Sequence, residues 1–153
     1  MRVVVQRVTC AKCDIDGQTV GSIANGFLLL VGFTHSDTEK DVRYVAKKVA
    51  QMRVFSDNEG KMNLSLADTG GAVLSISQFT LYADTRHGNR PSFISAAKPQ
   101  TAEPLYNLFN RILREDYSLR VETGRFGADM QISLVNNGPV TVIIDSNESN
   151  TVH

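Results

Sequence analysis

Apolar positions along this chain follow two periods, and each change of period marks an element. Residues 3–8 (VVVQRV) are β-branched and rich in strand formers, so they read as a strand. Asp16-Gly17 then signals a tight hairpin, and Asn25-Gly26 a second turn. The apolar run 27–33 follows as a buried central strand. Near Ser36 the period lengthens. Ser36 and Glu39 have the S-x-x-E spacing of a capping box, and Val42, Val45, Val49 and Met52 make one helical stripe. A polar turn (SDNEGKMN) and a loop (LADTGG) lead to residues 72–82, AVLSISQFTLY, which read as one long strand. Val73, Ser75, Ser77, Phe79 and Leu81 fall on one face of it, and Leu74, Ile76, Gln78, Thr80 and Tyr82 on the other.

After a long basic loop, ADTRHGNRPSFISAAKPQ, a second helix is expected over 102–115. Thr101 would cap it, Pro104 would sit in its first turn, and Leu105, Leu108, Phe109, Ile112 and Leu113 would face the core. The segment VETGRFGADM reads as a loop with two glycines. Strands at 130–135 and 140–145 flank Asn136-Asn137-Gly138-Pro139, which reads as a sharp turn. Proline there is unusual for a hairpin, because it has a fixed φ and no N–H to donate. Hairpins, short turns and two main helices give an α+β fold. The expectation is a single domain of largely antiparallel, barrel-like β-sheets over 1–146, with a frayed polar tail at 147–153.

Composition narrows the class. At 153 residues and 42% hydrophobic, the chain is long and apolar enough for one folded core. Sixteen Lys and Arg balance sixteen Asp and Glu, which argues against a protein held to nucleic acid by bulk charge. No apolar run approaches the ~18 residues of a membrane span, and MRVVVQRVT lacks a signal-peptide pattern. A cytoplasmic protein is expected. Cys10 and Cys13 form a lone C-x-x-C without a second pair, and the three histidines have no ligand spacing. Neither a metal nor a cofactor is expected.

Candidate chemistry gathers in four places. Ser77 and Thr80 put hydroxyls near the end of an apolar strand, either as reacting groups or as ordinary strand residues; no G-x-S-x-G elbow accompanies them. Arg86, His87 and Arg90 lie in a loop that suits phosphate contacts or plain solvation. Gly124 and Gly127 permit close backbone approach, with Phe126 and Met130 able to stack on a base or to enter the core. Gly138-Pro139 is a candidate for an unusual turn, cis or trans.

Together, SQFTL at 77–81, NNGPVT at 136–141, TGRFGADM at 123–130 and the opening MRVVVQRV resemble the D-aminoacyl-tRNA deacylases over nearly the whole chain. The resemblance implies a homodimeric hydrolase with tRNA as partner, and no role for DNA or membrane. It would cleave the ester between a D-amino acid and the 3′-terminal adenosine of tRNA, and also glycine mischarged on alanine tRNA. It implies a cis Gly138-Pro139 bond that reaches into the other subunit's site and walls out an L side chain, with Arg7 bracing it. It implies backbone N–H groups of Phe79 and Thr80 as an oxyanion hole, Ser77 and Gln78 shaping the pocket, and catalysis assisted by the terminal 2′-OH. Phe126, Gly127 and Met130 would seat the adenine, and Arg86, Arg90 and Lys98 would meet phosphates. A related editor of L-alanyl-tRNA and a non-catalytic tRNA-end binding module are the alternatives; Phe79 within SQFTL favours the D-specific type. Thr80 as an acyl nucleophile is the rival mechanism, without an evident general base.

Overall fold

Strand β1 (Arg2–Ile15) is the spine of the fold. It is longer than residues 3–8 because its two halves find different partners. In the computed structural model, which describes residues 1–150, its first half pairs antiparallel with β3 (Gly26–Gly32) and its second half with β2 (Gln18–Ile23). Asp16 and Gly17 both have positive φ, as a two-residue hairpin demands, and join Ile15 to Gln18. The chain then forms α1 (Glu39–Gln51), a small ribbon of β4 (Phe55–Ser56) and β5 (Met62–Leu64), and one helical turn, α2 (Leu66–Thr69). It returns through β6 (Ala72–Ser77), a 3-10 turn (Phe79–Tyr82), α3 (Pro99–Glu115), β7 (Arg120–Thr123) and β8 (Gln131–Asp145). Residues 146–150 form a 3-10 turn; the rest of the expected tail, 151–153, lies outside the described residues.

The sheet runs β2-β1-β3-β6-β7, with β8 along the other edge of β1, which curls it toward a barrel. The fold is α+β, as expected, but β6 pairs parallel with β3 and β7 parallel with β6. The segment read as a plain glycine loop therefore begins with a strand.

Two apolar cores lie on the two faces of this sheet. Val3, Val5, Phe27, Leu29, Val31 and Val73 face Val42, Val45 and Val49 of α1 and Phe109 and Leu113 of α3. Val8, Ala11, Cys13, Leu28, Leu74 and Ile76 pack inside the curl with Ile132 and Leu134. A register shift between Val8 and Cys10 lets Val8 share a face with Ala11, Cys13 and Ile15 despite the change of parity. Each fully buried Phe or Leu contributes about 1.5–3 kcal/mol.

Three boundaries differ from the sequence expectation. The first helix is capped by Thr38 with Asp41, not Ser36 with Glu39. Asp37 explains the shift: its carboxylate accepts from the Thr34 amide at 2.7 Å and pairs with the Met1 ammonium, so Ser36 stays in a turn. Glu39 instead pairs with Arg43 one turn on. The second long helix starts at Pro99, with Lys98 at the N-cap position but no side-chain cap, because a proline at the first helical position loses no needed N–H. Pro104 thus lies inside the helix, past its first turn.

The third difference concerns residues 130–145. Residues 131–145 form one strand, not a hairpin, and both halves pair with β1. Gln6 faces Thr141 and Val8 faces Asn136, so β8 takes five steps where β1 takes two. The surplus is thrown outward as a bulge carrying Asn137, Gly138 and Pro139, all exposed. The Gly138-Pro139 bond in it is cis.

Candidate functional site

The strand expected over 72–82 ends at Ser77. The Gln78 amide makes the last rung on β3, donating to the Val31 carbonyl at 2.7 Å, and its own carbonyl lies against Gly32. A Cβ at Gly32 would stand 2.9 Å from that oxygen, so the close approach requires glycine. The chain then coils into the 3-10 turn, where Leu81 bonds back to Gln78 at 3.3 Å and Ala83 to Thr80 at 3.0 Å. The amides of Phe79 and Thr80 open the turn and, among the described residues, have no backbone acceptor. The Gln78 side-chain amide donates to the Thr80 hydroxyl at 2.5 Å, which fixes both side chains.

Beside this turn lies a cavity of about 340 Å³. Gly32, Phe33, Ser77, Gln78 and Phe79 line it where β3 and β6 end, with Lys98 and Pro99 at the start of α3, and Phe93 and Phe126 from loops. It thus opens at the carboxyl ends of parallel strands, the usual place for ligands in such sheets. Phe79 and Phe93 meet edge to face at 5.2 Å and remain 57% and 40% exposed, an aromatic rim. The strip carrying Phe93 is tied down: Thr34 donates to the Ser95 carbonyl at 2.6 Å, and His35 Nε2 meets the Ile94 carbonyl at 2.6 Å. Phe126 also packs on Tyr106, whose hydroxyl donates to the Ser75 carbonyl at 2.7 Å. Burial pushes the Tyr106 phenol above its ordinary range, so it stays a donor.

The structure gathers some expected residues and separates others. Ser77, Gln78, Phe79, Phe126 and Lys98 meet at the cavity. Thr80 is exposed on the turn beside it, and Gly127, with φ +78, sits in an exposed turn after Phe126. Met130 packs instead in the core inside the curl, beside Gly124, where a Cβ would stand 2.4 Å from its sulfur. Arg86 forks onto Asp84 at 2.9 and 2.7 Å, which holds the Asp84 carboxyl down at about 2. Arg90 and Lys98 are exposed and carry no ion pair among the described residues. Cys10 is exposed and Cys13 buried, where desolvation raises its thiol.

Gly138 and Pro139 are absent from the cavity's lining in their own chain. Their bulge is nevertheless braced. Arg7 donates from Nε to the Asn137 carbonyl at 3.1 Å and from Nη1 to the Val54 carbonyl at 2.6 Å. Asn136 spans the base of the bulge, accepting from the Val140 amide at 3.1 Å and donating to Thr141 at 3.0 Å. Sequence reasoning missed Phe33, Phe93, Ala96 and Ala97 as lining. The signal available was a pair of large apolar residues, Phe93 and Ile94, inside an otherwise polar loop.

Comparison with known proteins gives the chain's family and fold. The family profile described as D-Tyr-tRNA(Tyr) deacylase matches residues 4–145. A D-aminoacyl-tRNA deacylase of Brevibacillus brevis is 59% identical over 146 residues, covering 95% of this chain and all of that protein. One of Thermus aquaticus is 59% identical over 148 residues, covering 97% of each. The solved structure of a c-Myc DNA Unwinding Element Binding Protein superposes with a TM-score of 0.89 at 38% identity, covering 95% of this chain and 98% of the other. A probable eukaryotic D-amino acid tRNA deacylase shares the fold, with a TM-score of 0.80 at 16% identity over 94% and 97% of the two chains. With its motifs, its fold and its full-length relatives in accord, the chain belongs to the D-Tyr-tRNA(Tyr) deacylase family.

Proposed function

We propose that this protein hydrolyses the ester bond of D-aminoacyl-tRNA, freeing the tRNA and the D-amino acid. The observation that carries the reading is the cavity at the ends of β3 and β6, rimmed by Ser77, Gln78 and Phe79 and opening beside the unpartnered amides of Phe79 and Thr80. A developing oxyanion is best met by such fixed N–H donors, which need no reorganisation at the moment of reaction. Water adds to the ester carbonyl, the bond to the ribose 3′-oxygen breaks, and the proton released by water ends on that oxygen. The ribose 2′-OH assists the proton transfer, consistent with a cavity whose lining, among the described residues, offers amides and hydroxyls but no His or carboxylate. Phe126, from the cavity side, and Gly127 after it belong to the segment that seats the terminal adenine, and Met130 anchors that segment from the core. The enzyme works in the cytoplasm, where charged tRNA is found.

Rejection of L-substrates is assigned to the exposed Gly138-Pro139 bulge of a second subunit. In one chain the bulge lies away from the cavity lining, so acting there requires another copy. Backbone held by Arg7 and Asn136 makes a rigid wall. An L side chain would collide with it, whereas a D side chain or a hydrogen would not, so glycyl-tRNA is also cleaved. A steric wall rejects more strongly than an apolar pocket, which discriminates by only about 1–3 kcal/mol.

The test is turnover of matched D-tyrosyl-tRNA and L-tyrosyl-tRNA by the purified protein. Loss of the D-ester alone is expected. Equal loss of both would remove the wall, and loss of neither would remove the enzyme. A tRNA ending in 2′-deoxyadenosine should be cleaved at only a trace of the normal rate; an unchanged rate would end the 2′-OH assignment.

A further inference from the structure

We infer that Arg2 is a positioning residue for the 3-10 turn at the cavity; its link to catalysis rests on the function proposed above. Arg2 and Asp145 face each other across the β1–β8 pairing. Arg2 Nε donates to Asp145 Oδ2 at 2.9 Å, and Nη2 meets the same oxygen at 2.8 Å. The other amino group, Nη1, donates to the Leu81 carbonyl at 2.9 Å, and the guanidinium lies 5.0 Å from the centre of the Tyr82 ring. One side chain thus holds the carbonyl and the ring that end the turn beginning at Phe79.

The chemistry suits the place. The last carbonyls of a short helical turn have no partner within it and carry partial negative charge. Leu81 is such a residue, and a planar guanidinium holds its donors in a fixed fork, so Nη1 serves that oxygen while Nε and Nη2 serve the carboxylate. Asp145 is nearly buried, with only 7% of its side chain exposed, and its second oxygen accepts from the Asn147 amide at 3.0 Å. The base of the brace is therefore fixed. The opposite end of the turn is fixed too, by the Gln78 amide on the Val31 carbonyl. Phe79 and Thr80 lie between these two anchors. Releasing the Arg2 end lets the turn swing about Gln78 and spoils the aim of both amides, while the lining supplied by β3 and the start of α3 stays in place. Small misplacements of this kind cost rate more than binding.

Arg2→Met, which keeps the stem and removes the donors, tests the inference. Hydrogen exchange of the Leu81 and Ala83 amides should speed about tenfold, with Leu29 and Val31 in β3 unchanged. On D-tyrosyl-tRNA, kcat should fall about tenfold with KM within about twofold. Arg2→Lys should recover part of both effects, and it serves as the test if Arg2→Met fails to fold. Faster exchange throughout the sheet would overturn the inference in favour of a general structural role. Unchanged exchange in the turn, or an unchanged kcat, would overturn it outright. Wild-type protein inactive on every aminoacyl-tRNA would instead sink the proposed function, and the exchange comparison would still decide the brace.

Discussion

Gly32 sets how closely the end of β6 approaches β3. A methyl group there would stand 2.9 Å from the Gln78 carbonyl and 3.1 Å from the Leu81 Cβ, and neither atom is the end of a flexible side chain. Gly32→Ala should therefore push the turn outward at a cost of about 1–3 kcal/mol in urea unfolding, the usual cost of overpacking. Its kcat should fall together with stability, because Phe79 and Thr80 ride on the displaced backbone. Thr80→Ala separates the amide from the hydroxyl. It removes the contact with the Gln78 side chain but leaves the Thr80 N–H, so kcat should stay within about tenfold of wild type. Loss of essentially all turnover, with substrate binding intact, would make the hydroxyl a nucleophile. Sequence reading selected both of these turn residues, yet gave Gly32 no role. Its need for glycine arises from a contact with Gln78, far along the chain, which no local pattern records.

At the scale of elements, the long loop after the turn sorts its basic residues in a way the sequence did not reveal. Arg86, Arg90 and Lys98 are alike in composition, but Arg86 is committed to Asp84. The direction of the Asp84 shift fixes when that commitment holds. Its carboxyl lies at about 2, below its ordinary 3.8, so the pairing is complete above about pH 4 and is lost only as the pH falls through about 2. At neutral pH a phosphate must compete with this carboxylate for Arg86. Arg90→Ala and Lys98→Ala should each lower the slope of log affinity against log salt for tRNA by about 1. Arg86→Ala should lower it by clearly less. Binding titrations across a salt series check all three variants, and three equal slopes would refute the distinction.

The elements themselves were legible where local chemistry decides. Asp16-Gly17 made its hairpin and the valines of α1 made their buried stripe, because turn and helix preferences act over a few residues. Reading failed where a distant strand decides. The alternation of 72–82 continued past Ser77, but β3 ends at Gly32, so after a last rung from the Gln78 amide to the Val31 carbonyl the chain coils, with Leu81 bonding back to Gln78. Asn136-Asn137-Gly138-Pro139 carried a turn signal, yet β1 pairs with both flanks and converts the turn to a bulge. The cavity's far side, from Phe93 to Ala97, had no period to betray it.

The bulge is decided at the scale of the whole molecule, because one chain does not bring it to its own cavity. The β1–β8 register shows how to remove it cleanly. β8 spends three more residues than β1 between the pairs Gln6–Thr141 and Val8–Asn136. Deleting residues 138–140 should therefore let the two strands run on in register, with the fold kept and L-rejection lost. A second variant, Ala96→Trp, drives an indole into the cavity and should be inactive while keeping its own bulge intact. Mixing the deletion variant with an excess of Ala96→Trp, under conditions that let subunits exchange, then separates the two possible origins of the wall. If the partner supplies it, each mixed dimer joins an open cavity to an intact bulge. Cleavage of L-tyrosyl-tRNA should then decline toward the wild-type background as the excess rises, while D-tyrosyl-tRNA is still cleaved. If each chain walls its own cavity, the L-activity per deletion subunit will be the same at every ratio, because an added bulge has no open cavity to reach.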